Sequence, residues 1–162
     1  MARGTFYLYF QSKESLFLEL LDDLMEELRS GIKGVDPTSK AGVRDQLPGV
    51  IGRVLATVAE KRALTRILFR EAIGLDAEVD ARLAAFNDVL HEYVVRALRL
   101  GRSMHVVREE LDLDVAATCI VGGVRYIVQR HIVIQDDPAD LEALGRGIVA
   151  TFLDGVSSPA KG

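Results

Sequence analysis

Residues 4–13, Gly-Thr-Phe-Tyr-Leu-Tyr-Phe-Gln-Ser-Lys, place aromatic rings at 6, 7, 9 and 10 and end on a lysine. Read as a short helix, Phe6 and Phe10 fall one turn apart on one face, and Thr5, Tyr7 and Tyr9 turn hydroxyls away from that pair. Lys13 stands at the opening of the next helix, beside its first-turn amides. Hydroxyls, a lysine and helix N-terminal N–H groups are the groups that hold the phosphates of a DNA backbone. The same rings also suit a packed core. Packing is the simpler reading for Phe6 and Phe10, whereas for Tyr7, Tyr9 and Lys13 composition leaves both readings open.

Catalytic chemistry finds little support. His91-Glu92 begins like a zinc-protease motif, but Val95 stands where the second histidine belongs. Gly145-Arg146-Gly147-Ile148-Val149-Ala150 matches a loose GxGxxA, yet it lies in a helical pattern with no strand before it, so the phosphate-binding reason for its glycines is missing. There is no P-loop lysine motif and no GxSxG elbow. His91, His105 and His131 are too scattered to assemble a metal site. The single cysteine, Cys119, excludes a disulfide framework and a cysteine zinc site. The expectation is a protein that is not an enzyme and needs no cofactor or metal.

The elements that position these residues are helical. Of 162 residues 49% are apolar, enough for one domain with a sizeable core. Apolar residues recur with a 3.6-residue period and no strict alternation stands out, which predicts an all-α helical bundle. After Ser12, a candidate N-cap, Leu16, Phe17, Leu20, Leu21, Leu24 and Leu28 form one stripe, with Gly31 and Gly34 at its C-terminal end. A second helix is expected over about 46–60, with Leu47, Val50, Ile51, Val54, Leu55 and Val58 inward and Pro48 in its first turn. A third covers about 63–73. Asp76 should cap a long fourth helix to about Gly101, with Val79, Leu83, Phe86, Leu90, Val94, Ala97 and Leu98 inward. Asp112 or Asp114 opens a fifth that reaches about Ile134. The last is expected from Asp137-Pro138, burying Leu141, Leu144, Ile148, Phe152 and Leu153.

Charge is distributed unevenly. The net charge is −4, but residues 1–13 carry +2 and residues 14–30 carry −5. A polyanion would therefore have to meet the opening segment. The most apolar stretch, Val115 to Ile134, contains Arg125, Gln129, Arg130 and His131, too polar for a membrane span, and no signal-peptide pattern opens the chain. A soluble, cytoplasmic protein with no membrane partner is expected.

The segment from Gly4 to Phe17, GTFYLYFQSKESLF, resembles the recognition-helix signature of the TetR family of bacterial transcriptional regulators. The rest of the chain is similar to that family in helix number, order and spacing. The resemblance implies a three-helix DNA-binding unit with a helix-turn-helix, followed by a helical ligand-binding and dimerisation domain. Arg3, Gly4, Thr5, Tyr7, Tyr9 and Lys13 would then meet DNA, Gly4 by allowing close backbone approach, while Phe6 and Phe10 would anchor the recognition helix. In the family two helices precede this motif, and here only Met1-Ala2-Arg3 do, so the chain is expected to begin inside a longer reading frame. The implied organisation is a helix-turn-helix remnant over 1–11, a connecting helix over 12–34, a ligand-binding and dimerisation domain over 35–156 and a frayed tail over 157–162. Its function would be that of a ligand-responsive regulator, as a repressor, binding operator DNA as a homodimer when full length. On its own the chain would bind specific DNA weakly or not at all. The alternative is a stand-alone helical ligand-binding or dimerising protein that does not touch DNA.

Two further sets of residues follow. Phe69, Phe86, Asn87, His91, Arg125 and Tyr126, with Thr65 and Tyr93 beside them, place polar or amphipathic groups next to apolar stripes, as a small-molecule pocket does. The effector is not named by the sequence. Gly122, Gly123, Gly145 and Gly147 cost helix stability, which close approach of backbones would offset. Packing inside the chain is one reading. The other, implied by the resemblance, is a symmetric four-helix interface formed by Cys119, Gly122, Gly123, Tyr126, Leu141, Gly145, Ile148 and Phe152.

Overall fold

The computed structural model describes residues 12–32, 35–36, 38–39, 42–70, 77–135 and 140–155, apart from the side chains of Lys13, Glu14 and Arg70. All regular structure among them is helical: α1 (Lys13–Ile32), α2 (Val43–Glu60), α3 (Arg62–Arg70), α4 (Ala77–Ser103), α5 (Leu113–Val128) with a π-helical extension (Gln129–Ile134), and α6 (Leu141–Asp154). No helix is long and apolar enough to cross a membrane among these residues.

Local chemistry explains most boundaries. Ser12 caps α1: its Oγ accepts from the Ser15 amide at 3.1 Å, while Ser15 Oγ accepts from the Ser12 amide at 3.1 Å. This is a capping box with a serine in the place of the usual Glu or Gln. Asp112 caps α5, accepting from the amides of Asp114 and Val115 at 3.0 and 3.1 Å. At the end of α4 the Gly101 carbonyl accepts from both Val106 and Val107, and His105 takes the positive φ of 58°. That is a Schellman-type stop with histidine where glycine is usual.

Two expected boundaries move. Helix α2 begins at Val43 rather than near Gln46, so Pro48 lies inside it. Proline there leaves the Arg44 carbonyl without its helical donor. Helix α6 opens at Leu141 with Asp140 as its cap, which accepts from the Ala143 amide at 2.9 Å, not at Asp137-Pro138. The fifth helix does reach Ile134, but over its last six residues as a π-helix. Gly34, Asp76, Asp137 and Pro138, and the end of the third helix beyond Arg70, lie outside the described residues.

The core forms where α1, α2, α5 and α6 converge: Leu24, Leu28, Leu55, Val58, Val128, Ile132 and Ile148 are buried together. Helix α6 lies against α2, α5 against α4, and α1 against α2 and α4. Thr65, the buried polar residue at the start of α3, donates its hydroxyl to the carbonyls of Val58 and Lys61.

Candidate functional site: an elongated apolar cavity

Helix α4 explains the site. Along its 27 residues only Val79 and Gly101 are buried. Leu83, Phe86, Leu90, Val94 and Leu98 are half-buried, although their period gives them one face. They line a cavity of about 1080 Å³, with Phe86 also packed against the core. All six helices line it: Leu24 and Leu28 of α1, Leu47, Ile51 and Val54 of α2, Leu68 and Phe69 of α3, Val121 and Val124 of α5, and Val149 and Leu153 of α6. On α4 the lining runs from Asp80 to Gly101, about 32 Å at 1.5 Å per residue. A cavity of this length with apolar walls suits a long aliphatic chain.

Polar groups are few and placed along its length. Thr65, Asp80, Asn87, Tyr93, Arg96 and Arg125 reach the lining. The Thr65 hydroxyl is satisfied by backbone carbonyls. The Tyr93 hydroxyl donates to the Ile32 carbonyl at 3.2 Å, at the C-terminal end of α1, where Arg53 Nε also donates to the Gly31 carbonyl at 3.2 Å. A wall residue of the cavity thus caps α1, the helix that follows the opening motif. The Arg125 guanidinium lies 5.4 Å from the centroid of the Phe69 ring, a cation–π contact.

Of the residues proposed for the pocket from sequence, the structure brings Phe69, Phe86, Asn87 and Arg125 together on its wall, with Thr65 and Tyr93. Two do not belong there. His91 turns to the N-terminal turn of α5, its Nε2 3.3 Å from both the Asp114 carbonyl and Thr118 Oγ1. Tyr126 points outward and is 60% exposed. Asp80 and Arg96 were missed, since charges beside an apolar stripe read as solvated positions; a helical projection about Tyr93 would have flagged Arg96, one turn on.

The residues proposed for pairing divide in the same way. Val115, Cys119, Gly122 and Tyr126 make an exposed stripe on α5, with Val115 57% exposed. Nothing lies within 4 Å of where a Cβ on Gly122 would stand. Phe152 borders this face, its ring over Gly123. Leu141 packs on the core. Gly145 and Ile148 are buried by their own chain, and a Cβ on Gly145 would stand 3.1 Å from the Pro48 carbonyl oxygen. Gly145 therefore answers to packing inside the chain, and neither residue is available to a partner.

Of the DNA-facing candidates, Arg3, Gly4, Thr5, Tyr7 and Tyr9 lie outside the described residues, as do Phe6 and Phe10, and Lys13 is described only as the first residue of α1. Among the described residues no cluster of histidine, cysteine and carboxylates could hold a metal ion.

No protein-family model matches the sequence. The chain is 29% identical over 143 residues to YdgC of Bacillus subtilis, an HTH-type transcriptional regulator, an alignment covering 86% of this chain and 69% of that one. It is 26% identical over 164 residues to a fatty acid metabolism regulator protein of Bacillus subtilis, covering 96% and 79%. Among solved structures, the TetR-family regulator PfmR of Thermus thermophilus superposes with a TM-score of 0.75 at 18% identity, over 98% of this chain and 84% of that one. The regulator FadR of Bacillus subtilis, in complex with stearoyl-CoA, superposes with a TM-score of 0.72 at 24% identity, over 97% and 83%.

Proposed function

The chain is TetR-like, with the fold of those regulators and transcriptional regulators as its sequence relatives, and on that premise we propose that its effector is a long-chain fatty acyl compound held in the central cavity. The observation that carries this reading is the apolar-walled cavity of about 1080 Å³ running along α4. A regulator of fatty acid metabolism among its relatives, and a fold neighbour holding stearoyl-CoA, agree with it. Under this reading the protein is a cytoplasmic repressor and not an enzyme. Residues 35–156 form the ligand-binding and dimerisation domain, residues 12–34 the connecting helix, and the segment 1–11 belongs to the part that meets operator DNA.

The coupling follows from the caps on α1. A ligand that spreads the cavity wall displaces Tyr93 from the Ile32 carbonyl and shifts α1, so ligand and DNA favour different positions of that helix. Two copies pair through the exposed α5 stripe, Val115, Cys119, Gly122 and Tyr126, with Phe152 at its edge; Gly122 lets the backbones approach.

Three measurements test this. Stearoyl-CoA should raise the melting temperature further as its concentration increases while free CoA does not, and protein expressed from its whole reading frame should release duplex from its own promoter region when stearoyl-CoA is added. Absence of both effects would sink the acyl-effector reading. In sedimentation, wild type should run as a dimer and Tyr126→Glu as a monomer with an unchanged helical spectrum.

A further inference from the structure

The two ends of the cavity are not equivalent, and we infer that an anionic, phosphate-bearing head group sits at the α4 C-terminal end, held by Arg96 with Arg99 beside it, while the aliphatic tail runs inward toward Phe69 and Arg125. This rests on the reading of the cavity as a long-chain acyl site and assigns that site a direction.

The direction comes from the antiparallel pairing of α4 and α5. His91 lies opposite Asp114, and Arg102 donates to the Leu111 carbonyl. Arg125 lies eleven residues beyond Asp114 along α5, and Arg96 five residues beyond His91 along α4, in opposite directions. At 1.5 Å per residue the two arginines stand about 24 Å apart along the helix axes. Both line the cavity, and they differ in surroundings.

Around Arg96 the walls open. Leu100 is 52% exposed and Val106 40% exposed, although both line the cavity. Deeper in, the wall includes the buried residues Leu24, Leu28, Val58, Thr65 and Val128, although Asp80, Ala84 and Arg125 are themselves exposed. The tail of an amphiphile gains most where water is excluded, and a charged head loses least where water remains. The open end is thus the place for the head.

Charge supports the same choice. Arg125 already lies over the Phe69 ring. Arg96 and Arg99 are exposed, one helical turn apart, and form no ion pair among the described residues. Two such guanidinium groups present several donors to one phosphate or to adjacent phosphates, which a single carboxylate cannot use as fully. The chemistry shared by the candidate heads is an anion on a long alkyl chain; the spacing of the pair favours the phosphates of an acyl thioester over a free fatty acid.

The experiment measures dissociation constants of stearoyl-CoA, stearate and uncharged octadecanol for wild type, Arg96→Gln, Arg99→Gln and Arg125→Gln. Arg96→Gln should weaken stearoyl-CoA about tenfold or more, stearate less, and octadecanol hardly at all, with Arg99→Gln showing a smaller loss of the same pattern. The loss for stearoyl-CoA should exceed that of Arg125→Gln. If Arg125→Gln takes the larger loss, the head lies at the other end and the inference is overturned. Equal weakening of octadecanol by Arg96→Gln would reduce that residue to packing and overturn it too. Failure of wild type to bind any of the three probes would instead remove the acyl-effector reading on which it stands.

Discussion

Helices α2 and α4 carry the same kind of apolar stripe and use it differently. Helix α2 buries Leu55 and Val58 with Leu24, Leu28 and Ile148 in the core, and α6 comes so near that Gly145 has the Pro48 and Gly52 backbone where a side chain would start. Helix α4, half as long again, has its stripe half-buried along nearly its whole length, on the cavity. One is a seam that holds the fold together. The other is mainly a cavity wall, so on the proposed effector reading stability and binding are separable in this molecule.

The widest gap between the two regions should appear on truncation. Leu55 is fully buried, and Leu55→Ala should cost about 2–5 kcal/mol in urea unfolding, because the hole it leaves cannot collapse. Leu90, the same residue type on the cavity wall, should cost under about 1.5 kcal/mol, since its removal enlarges a space that exists already. The same variant should change affinity for an acyl ligand more than Leu55→Ala does. Equal losses of stability would mean that α4 is packed in solution and that the cavity closes.

A second pair of variants sharpens the seam itself. A Cβ on Gly145 would stand 3.1 Å from the Pro48 oxygen and 3.4 Å from the Gly52 nitrogen, both backbone atoms that cannot turn aside. Gly145→Leu should cost about 1–3 kcal/mol or more by overpacking. Gly147, two residues on, is exposed with nothing within 4 Å, so Gly147→Ala should stabilise by about 0.5–1 kcal/mol through helix propensity alone. Opposite signs in thermal melts are the expected outcome; a tolerated Gly145→Leu would deny the close approach of α2 and α6.

What the sequence made legible follows the same division. The all-α fold and the order of helices were readable because the 3.6-residue period records which side of each helix avoids water. That period does not record what stands opposite: the stripe of Leu83, Phe86, Leu90 and Val94 reads alike whether it meets side chains or ligand space. Glycine in a helix signals close approach without saying to what, so Gly145 and Gly122 looked equivalent, though one meets α2 and the other faces outward. Asp137-Pro138 and Asp140 are both acceptable helix starts locally, and it is the Asp140 side chain, accepting from the Ala143 amide, that caps α6. Arg96 stayed hidden because an arginine beside an apolar stripe has the pattern of a solvated face. The pocket residues that sequence did find, Phe69, Phe86, Asn87 and Arg125, were those whose polarity or ring size departs from a plain aliphatic core.

The smallest effect concerns how α1 is tied to the seam. Lys61, at the one-residue break between α2 and α3, pairs with Glu27 of α1 at 2.9 Å. The hydrogen bond and the charge of Glu27 raise the lysine above its ordinary value of 10.5, with weaker support from Asp23 and Glu60. A raised folded-state value means that the contribution is present in full below 10.5 and is lost as pH climbs through the higher folded value. Both partners are exposed, so the effect is minor and screened by salt. Urea midpoints for wild type and Lys61→Met should therefore differ slightly at neutral pH and low salt, converge as pH rises past 10.5, and converge at neutral pH in high salt. A difference that survives both conditions would show that the lysine acts through its alkyl stem, packed at the break, and that α1 is held to the seam by apolar contact alone.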